Sequence, residues 1–266
     1  MTAYFKNKNI VITGASSGIG RALALSLATE GVTLILTARR TDELKTVSSA
    51  CAQKGAVCHS YFLDVADSNS VEQFAQQVLS KFQSLDILVN SAGISQRSLA
   101  NETPLEVDRR IMEVNFFGTV HVTKLLFPLI EHSPNGQVVL LSSLTGTFGY
   151  PLRSAYAASK HAIEGFFESW RLENKNPAIS FTVIAPGRIF TNISYSALTK
   201  TGAAHQQLDE GQANGISAEV CAEKIKRAII KRKRKIYIIK NEWVVLVLHK
   251  FLPSLFETTI KKLNLK

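Results

Sequence analysis

A tyrosine and a lysine four residues apart are the side chains of this sequence best suited to chemistry. Tyr156 and Lys160 lie in an alanine-rich stretch that predicts a helix, and residues four apart share one helix face. Tyrosine normally titrates near ~10. A cation at ~4 Å, in an effective dielectric of ~20, is worth at most ~4 kcal/mol, or ~3 pKa units. The pair therefore predicts a general acid–base that works near neutral pH.

The spacing alone is weak, because Tyr4 and Lys8 show it as well. That pair has no helical context, and we interpret it as coincidence. Ser143 supports the interpretation of Tyr156 and Lys160 as a site, since it lies thirteen residues before Tyr156 and ends an apolar predicted strand. A second hydroxyl beside a phenol predicts a site that holds one substrate oxygen, although Ser143 could also only cap the next turn.

The start of the chain predicts a nucleotide site. A β-branched strand, Asn9–Thr13, runs into the glycine-rich turn 14–20 and then into a helix that reaches about Glu30. Strand, glycine turn and helix are the context of a dinucleotide fingerprint. Gly14 permits the turn, Gly18 lets the backbone approach a pyrophosphate at a helix N-terminus, and Gly20 permits close helix packing. The alternative is a plain glycine turn.

The end of the second predicted strand, Val32–Ala38, indicates which dinucleotide binds. An acid is expected there for the ribose 2′-hydroxyl, but Arg39 and Arg40 follow instead, with no acid before Asp42. A guanidinium pairs with a 2′-phosphate that a carboxylate would repel. The sequence therefore predicts NADP(H) in preference to NAD(H). The alternative is a solvent-exposed arginine pair.

Strands alternate with helices along the rest of the chain. This predicts an α/β fold of the Rossmann type: one domain with a doubly wound, seven-stranded parallel sheet and helices on both faces. Ligands bind at the carboxyl ends of such strands, where Asp64, Asn90, Ser143 and Pro186 lie. The further predicted strands are 56–63, 86–90, 136–143, 178–185 and 235–239, and the further predicted helices are 41–54, 68–82, 104–130, 153–174 and 217–230.

The chain divides unevenly by charge. We assign residues 1–240 to an oxidoreductase domain, with 190–215 as a substrate lid, and 241–266 to a basic, amphipathic helical extension. The net charge is +10, and residues 224–266 carry 13 of the 31 basic and 2 of the 21 acidic side chains. The basic run 231–235 fits either a nucleic-acid patch or a structural helix end, and we favour the structural interpretation and expect no nucleic-acid partner.

Composition favours a cytoplasmic protein without a metal site. The first nine residues hold no apolar leader, the three cysteines match no metal spacing, and the six histidines form no ligand pair. The apolar, lysine-flanked tail 241–266 could cover the substrate cleft, pack on a subunit or lie on an anionic membrane surface.

Together these residues resemble the short-chain dehydrogenase/reductase superfamily. The resemblance covers about residues 8–192, in the family's order and spacing, and it is closest to the dehydrogenase/reductase member 7 and 7B group, which is related to the 11β-hydroxysteroid dehydrogenase type. Ser91 stands where a second asparagine is usual. The matching motifs are 13–20, Asp64-Val65, Asn90–Gly93, Asn115, Ser143, Tyr156–Lys160, Pro186-Gly187 and Thr191.

The resemblance implies a role for each catalytic residue. Tyr156 is the acid/base, Ser143 binds the substrate carbonyl, Lys160 lowers the pKa of Tyr156 and holds the nicotinamide ribose, and Asn115 anchors a proton-relay water. On the residues alone, Asn115 could equally be a polar residue that kinks its helix. The expected cofactor contacts are Gly14, Ser16, Ser17, Gly18, Ile19, Gly20, Arg39, Arg40, Asp64, Val65, Asn90, Ala92, Gly93, Tyr156, Lys160, Pro186, Gly187 and Thr191.

The sequence thus predicts an NADP(H)-dependent oxidoreductase acting on an apolar carbonyl or secondary alcohol, such as a steroid-, retinoid- or lipid-like ketone. The alternatives are a 3-oxoacyl-thioester reductase and, from another class, a non-catalytic NADP(H)-binding regulatory or scaffold protein. The resemblance also implies a homodimer or homotetramer, joined through the helices that carry Asn115 and Tyr156.

Overall fold

The computed structural model describes residues 2–264. Its strands are β1 Asn9–Thr13, β2 Thr33–Ala38, β3 Val57–Phe62, β4 Ile87–Asn90, β5 Gln137–Leu141, β6 Ser180–Pro186, β7 Ile189–Phe190, β8 Ile216–Ser217 and β9 Lys235–Ile238. Its helices are α1 Gly18–Leu27, α2 Thr41–Ala52, α3 Ser68–Lys81, α4 Leu105–Met112, α5 Gly118–Glu131, α6 Ser154–Glu173, α7 Glu210–Ala213, α8 Ala218–Ile230, α9 Trp243–Phe251 and α10 Pro253–Asn264.

Seven of these strands form one parallel sheet in the order β3-β2-β1-β4-β5-β6-β9. The order reverses between β1 and β4, and such a switch point opens a crevice at the carboxyl ends of the strands. The predicted fold class is therefore confirmed. The strand boundaries differ from the predicted ones by one or two residues, as is usual for element ends.

The sheet separates two apolar layers, and β1 shows how. Ile10 and Ile12 pack with α1, α2 and α8 on one face, whereas Val11 packs with α3, α5 and α6 on the other. All three side chains are fully buried. A strand buried on both faces needs a continuous apolar run rather than alternation, which is why the central strands are unbroken hydrophobic stretches in the sequence.

The predicted single helix over 104–130 is interrupted. A π-helical turn at Glu113–Phe117 separates α4 from α5, and such turns add one residue to the helical register. Two contacts stabilise it: the buried Asn115 side chain bonds the backbone of Ile94, and Gly118 packs on the chain at Val65, where an added Cβ would lie 2.4 Å from the Val65 carbonyl oxygen.

The segment 190–215 is closed at its base and fastened in its middle. β7 and β8, which flank it, pair in parallel. Leu198 forms a backbone bridge with the loop after β4: its N–H donates to Ser95 at 2.9 Å, and its carbonyl accepts from Arg97 at 2.8 Å. The segment is therefore fastened to the loop after β4, and its role as a substrate lid stays a prediction.

The C-terminal extension consists of α9 and α10. Phe256 and Ile260 of α10 pack against Leu144 and Phe148, just after β5, so one face of the extension covers the main domain. Its other face carries exposed apolar side chains, at Trp243, Val244, Val247, Phe251, Leu252 and Leu255. None of the helices in the described range is long and apolar enough to cross a bilayer. Leu265 and Lys266, the last residues of the predicted extension, lie outside the described residues.

Two cations of the basic run 231–235 have internal partners. The Arg232 guanidinium donates to the carbonyl oxygens of Asn135 and Ala178, at the amino ends of β5 and β6. Lys235 pairs with Glu164 of α6. These contacts support the structural interpretation of the run, because they tie the turn before β9 to its neighbouring strands.

Candidate active site

Three glycines shape a cradle at the carboxyl end of β1. Gly14 has φ 66°, and an added Cβ would lie 2.8 Å from the Ala92 Cα. A Cβ on Gly20 would lie 2.5 Å from the Gly14 carbonyl oxygen. Gly18 has φ 54° and faces Thr191 across the cleft, at 3.4 Å from the position of its missing Cβ. Backbone atoms can thus approach a ligand closely here, which a side chain would prevent.

The cradle lies where α1 begins. Ser17 precedes the helix, and no side chain caps its first turn. The N–H groups of that turn have no partner within the helix and favour an anion such as a pyrophosphate. Arg39 and Arg40 stand beside the cradle at the end of β2, and Arg40 donates to the Ser16 hydroxyl at 3.3 Å. The residues therefore fit a phosphorylated dinucleotide.

Further predicted cofactor contacts lie at the carboxyl ends of β3 and β6. Asp64, just after β3, lies 3.9 Å from an Arg39 nitrogen and 3.3 Å from one of Arg110. Its neighbour Val65 packs on α5 at Gly118. Pro186 ends β6, and Gly187 lies beside Glu242. These residues occupy the crevice edge that the sequence predicted for them, and their contacts with a cofactor stay a prediction.

The loop after β4 closes the middle of the crevice. The Thr13 hydroxyl accepts the N–H groups of Ser91 and Ala92 at 3.0 and 3.1 Å. The amide of Asn90 is buried and donates to Thr123. Gly93 leaves space, because a Cβ there would lie 3.2 Å from the Asn115 oxygen and 3.6 Å from the Lys160 nitrogen. Substituting Ser91 for the usual asparagine therefore does not disturb this loop, whose backbone donors supply the contacts.

Ser143 and Tyr156 meet at the end of β5. Ser143 follows that strand in an extended conformation and accepts from the Thr145 N–H at 3.2 Å. Its hydroxyl also interacts with the phenol of Tyr156, in the first turn of α6. The two hydroxyl groups therefore lie close enough to interact. The phenol is covered rather than open, since Tyr156 is only 9% exposed.

Lys160 lies one turn further along α6 and is 4% exposed. Its ammonium donates to the Leu141 carbonyl at 2.8 Å and lies 5.7 Å from the centre of the Tyr156 ring. Burial lowers the pKa of Lys160 to about 8, although the carboxylate of Glu164 acts in the opposite direction. The ammonium is thus poised to exchange a proton near neutral pH.

The pKa of Tyr156 depends on Ser143 and also on two arginines that the sequence did not single out as site residues. Burial raises the pKa of Tyr156 above its ordinary value, while the Ser143 hydroxyl and the guanidiniums of Arg153 and Arg97 lower it. Lys160 was expected to supply this cation. In the structure its ammonium donates to the Leu141 carbonyl and lies 5.7 Å from the centre of the Tyr156 ring, and a lowering of the Tyr156 pKa by Lys160 stays a prediction.

Asn115 is fully buried, and both ends of its amide are bonded. Its oxygen accepts from the Ile94 N–H at 2.9 Å, and its nitrogen donates to the Ile94 carbonyl and to Ser159. The side chain therefore joins the loop after β4 to α6, one residue before Lys160. The proton-relay water stays a prediction.

Sequence reasoning missed Gln96, Arg97 and Asp209. They lie in loops, and nothing in the local pattern marks them. The structure brings them to the N-terminus of α6, where Arg97 and Arg153 both pair with Asp209. The part of the chain that the structure describes holds no group of three or more side chains suited to a metal ion.

A family model described as "short chain dehydrogenase" matches residues 8–202. The chain belongs to this short-chain dehydrogenase/reductase family. The match spans the glycine cradle, the π-helical turn and the Ser143–Tyr156–Lys160 group. The family resemblance read from the motifs is therefore confirmed.

Curated members of the family extend the match to the subgroup. "Dehydrogenase/reductase SDR family member 7B" of Rattus norvegicus is 40% identical over 243 residues, covering 89% of this chain and 74% of the relative. "Dehydrogenase/reductase SDR family protein 7-like" of Anopheles gambiae is 40% identical over 240 residues, covering 88% and 76%. These names agree with the predicted member 7 and 7B group.

Solved structures of the family share the fold. An alcohol dehydrogenase from Thermococcus sibiricus, complexed with 5-hydroxy-NADP, matches with a TM-score of 0.75 and 26% identity over 87% of this chain and 95% of that one. A short-chain dehydrogenase from Streptomyces avermitilis matches with a TM-score of 0.79 and 28% identity over 97% and 98%.

Proposed function

We propose that this oxidoreductase uses NADP(H) to interconvert a carbonyl and a secondary alcohol on an apolar substrate. The observation that carries the proposal is the interaction of the Ser143 and Tyr156 hydroxyls, with Lys160 buried one turn further along α6 and close to Gly93 in the crevice. Two hydroxyl donors at one point suit a carbonyl oxygen that gains negative charge.

In the proposed reaction the protein orients the substrate and handles one proton. The cofactor, when bound in the cradle, supplies the hydride that reduces the carbonyl carbon. Ser143 donates a hydrogen bond to the carbonyl oxygen, and Tyr156 transfers its proton to that oxygen as the alcohol forms. Lys160, whose pKa is lowered to about 8, is placed to return a proton towards the phenol. Oxidation follows the same steps in reverse.

An apolar substrate is supported by the lining of the site. Tyr156 packs with Val107 and Ile111 of α4, and Ile94 and Leu198 adjoin them. A substrate that reaches the phenol therefore meets aliphatic side chains on two sides. Apolar contact of this kind favours a hydrocarbon-rich ketone or alcohol over a small polar one.

Screening with reduced cofactor tests the proposal. Steroid, retinoid, quinone, aliphatic and 3-oxoacyl-thioester carbonyls are supplied with NADPH, and its absorbance is followed. We expect turnover with one or more of the apolar ketones. Turnover of the thioesters alone would show that the substrate is a 3-oxoacyl thioester rather than an apolar ketone. Tight NADPH binding without any turnover would favour a regulatory or scaffold role.

NADP(H) preference is supported by the arginines beside the cradle. A 2′-phosphate there would meet Arg39, Arg40 and the Ser16 hydroxyl that Arg40 already contacts. Hydrogen bonds to charged groups are worth about 1.5–3 kcal/mol each. Arg39→Asp is expected to weaken NADPH binding by about 10-fold or more, with a far smaller effect on NADH.

Arg40→Asp is the matched comparison, and calorimetric titration of both variants with both cofactors measures the effects. A larger loss of NADPH affinity in Arg40→Asp than in Arg39→Asp would identify Arg40 as the main contact of the 2′-phosphate. Equal NADPH and NADH affinities before and after both substitutions would contradict the assignment of either arginine.

A subunit interface on α5 and α6 is a further proposal. A shallow groove of about 710 Å³ runs between these helices and is lined by Phe116, Phe166 and Trp170 among others. Apolar grooves on exposed helices are typical of interfaces. Light scattering of the native protein and of Trp170→Glu measures the assembly, and a monomer in both would contradict a homodimer or homotetramer.

Peripheral membrane contact through the extension is proposed from its outer face. Trp243, Val247, Phe251 and Leu255 are exposed there, and Lys250 and Lys261 lie on the same two helices. A surface with aromatic and basic residues suits an anionic bilayer. We expect sedimentation with phosphatidylserine vesicles, reduced by Trp243→Ser/Phe251→Ser. If the double variant sediments with the vesicles as much as the native protein does, this surface is not the membrane contact.

A cytoplasmic location remains a proposal as well. It is supported by the cysteines, since Cys51, Cys58 and Cys221 are all free thiols and free thiols persist in reducing compartments. Fractionation of cells that express the full chain tests it, and recovery from an oxidising compartment would contradict it.

A further inference from the structure

Asp209 of the lid segment binds two arginines from two different walls of the site. Its carboxylate accepts from the Arg97 Nε at 3.1 and 3.2 Å, and from Arg153 at 2.8 Å. Arg97 belongs to the loop after β4, whereas Arg153 immediately precedes α6. One carboxylate therefore joins the lid to both elements that frame Tyr156.

Arg97 is the more deeply buried of the two, with a side chain only 5% exposed. The Nη1 nitrogen of Arg97 donates to the Ser95 hydroxyl and to the Gln96 carbonyl. A buried guanidinium is tolerated only when its donors are satisfied, and each of the three nitrogens of this one has an acceptor. The backbone of Arg97 also bonds Leu198 of the lid, so the same residue fastens the lid twice.

Gln96, the preceding residue, holds the helix that carries Tyr156. Its side-chain oxygen accepts from the N–H groups of Ala155 at 2.9 Å and Tyr156 at 3.4 Å. Arg153, at the start of the helix, provides no side-chain cap. The unpaired N–H groups of a helix start need acceptors, and here the acceptor comes from a loop. The pair 96–97 thus fixes α6 and the lid at the same time.

The charges near the phenol do not balance. Arg97 and Arg153 contribute two cations against the single carboxylate of Asp209, with His205 close to that carboxylate. Arg153 also stacks over the Tyr150 ring at 4.9 Å. Ser143 and Lys160 also face Tyr156. Both arginines lower the pKa of the buried phenol, and the Asp209 charge must weaken that effect.

We infer that Arg97 and Arg153 are positioning residues for Tyr156, which hold the lid closed through Asp209 and supply net positive charge beside the phenol. The inference rests on the proposed function, since it assigns these residues to the proton donor of that reaction. It predicts opposite effects for the two signs of charge. Removing an arginine should make the phenol harder to ionise, whereas removing the carboxylate should make it easier.

The test compares Arg97→Gln, Arg153→Gln and Asp209→Asn with the native chain. Tyrosinate absorbance is read after a rapid pH jump, before unfolding, and each protein is paired with its Tyr156→Phe counterpart to isolate one phenol. We expect the Tyr156 titration to move to higher pH in both arginine variants and to lower pH in Asp209→Asn. Arg153→Lys, which keeps the charge, should titrate close to the native protein.

Arg171→Gln is the matched control, because it removes a cation from the far end of α6, where Arg171 pairs with Glu168. Its titration should match that of the native chain. A shift in the same direction in all three test variants would indicate loosened packing and overturn the electrostatic role. Unchanged titration in both arginine variants would overturn it as well.

Limited digestion with trypsin measures the fastening of the lid, since Lys200 lies within it. Loss of a charge-assisted contact should raise the rate of cleavage after Lys200 by about tenfold or more in the three variants. An unchanged rate would overturn the lid contact. Neither the titration nor the digestion needs turnover. A failed carbonyl screen would therefore overturn the proposed function, while the titration and the digestion would still decide the roles of Arg97 and Arg153.

Discussion

Tyr156→Phe is expected to abolish carbonyl reduction while leaving NADPH binding close to native. The substitution removes only the phenolic hydroxyl, which is the proposed proton donor and interacts with Ser143. General acid catalysis typically contributes about 10²–10⁴-fold, so kcat should fall by that factor. The ring remains packed against Val107 and Ile111, and the fold should persist.

Steady-state kinetics on whichever substrate the screen identifies, with NADPH binding by fluorescence, measure the effect. Tyr61→Phe is the matched control, because it removes a hydroxyl from an aromatic residue that packs on Phe74 at the edge of the sheet. Its kcat should equal the native value. Full activity in Tyr156→Phe would exclude the phenol as proton donor.

Lys160→Met is expected to lose activity and gain stability. At neutral pH the native protein holds a buried ammonium whose pKa is lowered from 10.5 to about 8, which opposes folding by about 3 kcal/mol. Removing it deletes the hydrogen bond to the Leu141 carbonyl, a loss of about 1–2 kcal/mol. The net gain is about 1–2 kcal/mol, which should raise the melting temperature by about 2–8 °C. Turnover should fall by about 100-fold or more.

The pH dependence has a definite sign. Between pH 8 and 10.5 the unfolded chain keeps the Lys160 proton that the folded protein has released, so stability should rise with pH across that window. The rise should be absent in Lys160→Met. Urea unfolding at a series of pH values measures it.

Lys226→Met is the control for this prediction, because Lys226 is also buried but pairs with Glu223 and bonds Ser26 away from the site. That variant should keep its activity and lose stability. If Lys160→Met is less stable than the native protein at pH 7, the claim that the buried ammonium lowers the free energy of unfolding is wrong.

The sheet and the cofactor cradle were predictable because their determinants are local. Gly14 and Gly20 occupy positions where a Cβ would meet backbone, and the apolar strands must be buried on both faces. Local pattern and chemistry agree at these points, so the motifs identify both the fold and the residues beside the proposed cofactor.

The remainder depends on partners that are distant in the chain. Arg97 and Asp209 are 112 residues apart, and Arg153 and Asp209 are 56 apart. No periodicity links such positions. The π-helical turn escaped prediction for the same reason, since Asn115 bonds Ile94, 21 residues earlier, and its sequence alone is compatible with a regular helix.

The first and the last described helical turns contact opposite ends of the sheet. The N-terminal turn is anchored where strands start, since the Tyr4 hydroxyl accepts from Gln137, the first residue of β5. At the other end, α10 rests on Leu144 and Phe148, beside Ser143. The length of β5, about 15 Å or more, thus separates Tyr4 from the reacting groups, whereas Phe256 and Ile260 of α10 pack beside them. An affinity tag is therefore better joined to the start of the chain than to its end.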